Sequence, residues 1–182
     1  MSMAERSMKR GFRHRAPQRS TGDLGPVRRI VTGFDEAGRA SIQSDGIPPH
    51  VYTMPDNGPT IYEIWNTRET PARLAATGEE PLEERLMLAP PKDGTRIRVL
   101  DILPEGLDHA SSDDTSVRVA NGSIDYCIVL MGEMTLILEG TETVVRTGDI
   151  VVQRGTRHAW ANRSGRLCRV AFILVDARYD AG

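Results

Sequence analysis

The 182-residue chain predicts an all-β protein, built as a small antiparallel sandwich or barrel. Three observations carry that class. From Arg29 onward the sequence divides into about ten short runs rich in β-branched and aromatic residues. Tight turns containing Gly, Asp or Asn separate those runs at close spacing. No stretch combines the length and the 3.6-residue periodicity of a long helix.

Taken in order, Arg29-Ile30-Val31-Thr32-Gly33 is the first strand, and the FDEAG segment after it carries turn chemistry. Arg39-Ala40-Ser41-Ile42 then returns as the second arm of a hairpin. Prolines and glycines dominate 46–59, which predicts an irregular connection over one mouth of the barrel. Thr60–Asn66 alternates and reads as a strand. Residues 67–93 hold four prolines and read mostly as loop, with short helical turns at Ala72–Ala76 and Glu83–Leu88. Arg96–Leu103 alternates polar with apolar, the pattern of a half-buried strand. After a loop at 105–114 come runs at Ser116–Val119, Ile124–Met131, Met134–Glu139, Thr143–Arg146, Ile150–Gln153, Arg157–Asn162 and Cys168–Asp176. Gly132 and Gly140 sit between consecutive runs, where glycine can take φ > 0 without steric cost. There is no internal repeat, and the length accommodates one barrel.

Hydrophobic content of 39% and charged content of 26% are ordinary for a globular protein. No apolar run approaches the roughly 20 residues of a membrane helix, so no membrane partner is expected. The N-terminus lacks the apolar segment of a secretory signal, and a cytoplasmic protein is the expectation. Both cysteines, Cys127 and Cys168, lie in apolar runs and read as buried free thiols. The net charge of −2 conceals an asymmetry, because residues 1–29 carry +6 and the remainder −8. The acidic remainder offers no basic face interleaved with aromatics, so nucleic acid is not an expected partner. Residues 1–28 read as a basic disordered tail, and 29–182 as a single domain.

The stretch Asp125–Asn162 holds the residues with chemical potential. Asp125 lies seven residues before Gly132, in the order Asp125, Tyr126, Val129, Leu130, Gly132, Glu133. Further on come Gly148-Asp149, Gly155, His158 and Asn162. This pair of motifs resembles the conserved barrel core of the cupin superfamily, over residues 116–176. The first cupin motif places a glutamate where Asp125 stands, and the second ends on a histidine and an asparagine spaced like His158 and Asn162. Two departures occur in the second motif: the distance from Gly148 to His158 is one residue short, and Gln153-Arg154 stands where a proline is usual.

The resemblance implies a double-stranded β-helix, or jelly roll, with extra N-terminal strands. It also implies three histidines and a carboxylate holding a transition metal. The first motif's histidines would fall on Val119 and Asn121, or on Arg118 and Ala120, and none of these is histidine. Only His158 and Asp125 remain as metal ligands, with Asn121 a weak oxygen donor, so a divalent transition metal is not favoured as cofactor. His50 and His109 are the other histidines that loops could bring to such a site.

Asp125 on an apolar strand needs a partner, and His158 across the barrel is the candidate. The pair reads either as a general acid and base or as a structural remnant. Trp160 should share the face of His158 and offer an aromatic wall, so Trp160, Asn121 and Asn162 are candidate ligand contacts. Two functions follow. One is an enzyme acting on a small carboxylated or phenolic metabolite through His158 and Asp125, by isomerisation, decarboxylation or, least favoured, oxygenation. The other is a non-catalytic ligand-binding or regulatory cupin whose metal site has degenerated. A homodimer is expected in either case, since single-domain cupins commonly pair sheet edges.

Overall fold

The computed structural model of the chain describes residues 24–56, 58–74, 85–104 and 122–178. Eleven strands follow one another: β1 (Arg29–Phe34), β2 (Ala40–Gly46), β3 (Val51–Thr53), β4 (Thr60–Thr67), β5 (Thr95–Ile102), β6 (Ser123–Met131), β7 (Glu133–Leu138), β8 (Thr141–Arg146), β9 (Ile150–Arg154), β10 (His158–Ala161) and β11 (Cys168–Asp176). No helix occurs among the described residues. A six-stranded sheet runs β3-β4-β5-β11-β6-β9, and a three-stranded sheet runs β10-β7-β8. Strands β1 and β2 form a separate hairpin. The fold is the all-β double-stranded β-helix with additional N-terminal strands.

The two sheets close on one core. Ile61, Leu100, Ile102, Cys127, Val129, Cys168 and Val170 enter it from the larger sheet, and Met134, Leu136, Val145 and Trp160 from the smaller. A second, smaller cluster of Tyr62, Val99 and Ala171 lies on the outer face, where Val27, Ile64 and Ile128 pack on it. The central strands are therefore buried on both faces. The Gly25 carbonyl accepts a hydrogen bond from Arg169 Nη1. Arg169 also grips Asp101 on the neighbouring strand through both carboxylate oxygens.

Gly132 carries the chain from β6 in one sheet to β7 in the other. Its φ is +85°, and a Cβ there would lie 2.8 Å from the Leu167 carbonyl oxygen. Conformation and space both demand glycine.

Three expectations are corrected. The connection at 46–59 contains β3, which pairs antiparallel with β4 through Val51↔Tyr62 and Thr53↔Thr60. Three β-prone residues between prolines were too short a run to stand out. The described parts of the two expected helical turns, 72–74 and 85–88, are not helical. The Met87 carbonyl is committed to Arg98 Nη2 at 2.5 Å, and Pro90 and Pro91 supply no N–H to continue a helix. Arg96 and Arg98 do not face solvent as a half-buried strand would have them; both are buried. The expected strand Ser116–Val119, along with His109 and Asn121, lies outside the described residues.

Candidate active site in the barrel interior

Strand register sets two rows of side chains across the inner face of the larger sheet. The first row is Asn66, Arg96, Leu174, Asp125 and Gln153, each paired with the next. The second is Glu63, Arg98, Phe172, Cys127 and Val151. A third, of Ile61, Leu100, Val170 and Val129, is wholly apolar and belongs to the core. The inner face thus grades from apolar at one end of the barrel to polar at the other. A bulge between Glu63 and Trp65 brings Asn66 onto this face, since strict alternation from Glu63 would turn it outward.

All six polar members of the first two rows are buried. Glu63 sits between the two arginines. Arg96 Nη1 donates to its Oε2 at 3.3 Å, and Arg98 Nη2 lies 2.9 Å from its Oε1, an ion contact without hydrogen-bond geometry. Burial pulls the Arg98 pKa down, against the pull of Glu63 in the other direction. Several polar atoms on the inner faces have no hydrogen-bond partner among the described residues: both amide atoms of Asn66 and of Gln153, Nε of Arg96 and Arg98, and Nε1 of Trp160. Buried polar atoms are normally satisfied, and each orphan costs about 1–3 kcal/mol, more when charged.

Asp125 accepts a hydrogen bond from Ser123 Oγ at 2.7 Å. Burial pushes its pKa up, while that bond and the charges of His158 and Arg98 pull it partly back. His158, on β10 of the opposite sheet, places Nδ1 at 2.9 Å from the Thr156 carbonyl. A carbonyl only accepts, so Nδ1 is the donor, and in the neutral imidazole the lone pair is on Nε2. Asp125 and His158 thus influence each other through space, and each has its hydrogen bond elsewhere. Trp160 shares the face of His158, with ring centroids 6.2 Å apart edge to face. It meets Phe172 in the same way at 5.9 Å. A cavity of about 320 Å³ opens beside Ser123 and Ile124, bordered by Arg154 and Arg178.

Asn162, a candidate ligand contact, has a structural task. Its Nδ2 donates to the carbonyls of Ile102 and Arg166, and its Oδ1 accepts from the Ser164 N–H and hydroxyl. That uses the side chain fully to tie the β10–β11 turn to β5. The residues that sequence reasoning missed are Glu63, Asn66, Arg96, Arg98, Ser123 and Gln153. Two signals were present: the Arg-x-Arg spacing that puts both guanidinium groups on one strand face, and Gln153-Arg154 at the motif's proline position.

No family model matches the chain. It is 32% identical over 166 residues to the cupin-domain-containing oxidoreductase fogC of Aspergillus ruber, covering 87% of this chain and 77% of that protein. It is 28% identical to the cupin-domain-containing oxidoreductase srdD of Neurospora crassa, over 85% of this chain and 78% of that one. The phomopsin biosynthesis cluster protein D of Diaporthe leptostromiformis is 27% identical, over 90% and 86%. Among solved structures, the cupin domain of Schizosaccharomyces pombe Cnp3 superposes with a TM-score of 0.48 at 7% identity, over 84% of this chain and 89% of that one. The chain belongs to the cupin superfamily.

A cupin metal would need a cluster of donors. Among the described residues no three His, Cys, Asp or Glu side chains come close enough to hold an ion. The positive charge of Arg98 acts on Asp125, one of the two remaining ligands. Among the described residues, two donors beside a guanidinium are fewer than a divalent cation site needs.

Proposed function

We propose that the barrel interior binds a small carboxylated or phenolic metabolite and that Asp125 and His158 move a proton on it. One observation carries this reading: the orphaned amides of Asn66 and Gln153, the arginine Nε atoms and Trp160 Nε1, all on the inward faces of their strands. A core built only for stability would satisfy or omit such groups; a ligand supplies their partners. Curated relatives carry names of oxidoreductases and of biosynthesis-cluster proteins, which supports action on a small molecule.

The chemistry available is acid–base. His158 Nε2, with Nδ1 held by Thr156, is a base able to take a proton from a carbon next to a carbonyl. Asp125, whose burial favours the neutral acid, can give its proton to the carbonyl oxygen as the electron pair moves there. Delivery of the His158 proton to a second carbon of the enol, with the enol oxygen giving its proton back to Asp125, completes an isomerisation by a shift of the double bond. The alternative is a ligand-binding barrel without catalysis, in which the metal site has degenerated; that no three donors cluster among the described residues favours it.

His158→Ala tests the site. Turnover of a substrate found by screening is expected to fall by about 10²–10⁴-fold, whereas unaltered turnover would remove His158 from the mechanism. If the variant binds such a compound normally and the wild type never converts it, the non-catalytic reading holds. Elemental analysis of protein purified without chelator should find substoichiometric metal. One equivalent of Fe, Mn, Ni or Zn would overturn the metal-free account.

A further inference from the structure

The inner face is short of negative charge. Two buried guanidinium groups, Arg96 and Arg98, share a single buried carboxylate, Glu63. The opposing sheet contributes Met134, Leu136, Leu138 and Trp160 to the interior, none of them acidic. Asp125 takes its hydrogen bond from Ser123 Oγ, and the ion pairs of both arginines are with Glu63 rather than with Asp125. A buried cation without its full complement of partners is costly, so an arginine pair held by one carboxylate persists best where an anion completes it. Each guanidinium still presents an Nε–H without a partner among the described residues.

We propose that the ligand of this barrel carries a carboxylate bound by Arg96 and Arg98, with a flat apolar body resting on Phe172 and Trp160. This rests on the reading of the barrel interior as the ligand site, and it narrows that reading to one chemical class. The guanidinium fork matches a carboxylate in shape and charge, which a phenol or a neutral amide does not. Phe172 stands next to Arg98 in the same row, and its ring meets Trp160 at 5.9 Å, so an aromatic wall lies beside the anion site. The same surplus of positive charge explains why Asp125 and His158 make a poor cation site.

Benzoate and benzamide, equal in shape and different in charge, are the probes. Titrated into the full-length protein and followed by calorimetry and ligand-observed NMR, benzoate is expected to bind about tenfold to a hundredfold more tightly. In Arg98→Gln that ratio should collapse toward one, and Arg98→Lys, which keeps the charge and loses the fork, should fall between. The wild-type comparison needs no variant to fold. Equal affinities in the wild type, or an undiminished preference in a folded Arg98→Gln, would overturn the carboxylate assignment and leave the barrel site standing. Binding of neither probe at millimolar concentration would remove the barrel site, and this inference with it.

Discussion

Glu63 is the residue on which the interior charge balance turns. It is buried between Arg96 and Arg98, and removing it leaves two guanidinium groups without an anion. Glu63→Ala should cost about 3–5 kcal/mol in urea denaturation; a loss under about 1 kcal/mol would mean that the pair is solvated. Asp125 makes a pH-dependent contribution of the opposite kind. Its folded pKa is raised, chiefly by burial, so the folded state holds its proton more tightly than the unfolded chain does. Stability from this group is therefore complete below the unfolded carboxyl pKa and is lost as pH rises through the folded value. Asp125→Asn, which keeps an acceptor for Ser123 Oγ, should flatten that part of the Tm–pH curve and be the more stable protein at neutral pH. A variant curve parallel to the wild type would refute this. Cys127 and Cys168 are free thiols buried in the core, with pKa values pushed up by burial to about 12 and about 11. Neither should react with a disulfide reagent at pH 8 until the protein is unfolded, when both should.

At the scale of elements, the β6–β7 crossing is the sharpest constraint. Gly132 and Gly140 both adopt positive φ, +85° and +88°. A Cβ at Gly132 meets the Leu167 carbonyl and Cys168, whereas one at Gly140 meets nothing. Gly140→Ala should cost only the left-handed strain, about 1–2 kcal/mol. Gly132→Ala should cost clearly more in the same denaturation assay, and equal losses would contradict the close approach. These turns were readable in the sequence because glycine punctuates them. The face of β5 was not. Alternation in Arg96–Leu103 shows that the two arginines share a face, but β5 lies between β4 and β11 with buried clusters on both sides. A polar residue on such a strand enters an interior whichever way it points, so periodicity carries no sign of direction. The bulge that turns Asn66 inward has no sequence mark either, because it depends on which partner strand the chain meets.

At the scale of the whole molecule, the exposed edge invites association. Strand β9 ends the larger sheet, and Ile150 and Val152 on it are 62% and 54% exposed beside the partly exposed Tyr126 and Leu130 of β6. A second copy covering this face is the expected homodimer. Light scattering should give twice the monomer mass, and Ile150→Asp with Val152→Asp should halve it; a wild-type monomer would end that expectation. What the sequence by itself determined is an all-β sandwich or barrel and most strand positions, because local propensity and turn chemistry are written in adjacent residues; the resemblance to the cupin motifs added the jelly-roll class. Only the tertiary structure decided that Asn162 is a turn clamp and that Glu63, Arg96, Arg98 and Gln153 line the barrel. Those roles arise from register between strands far apart in the chain. The charge of the interior is a sum over them that no single segment contains.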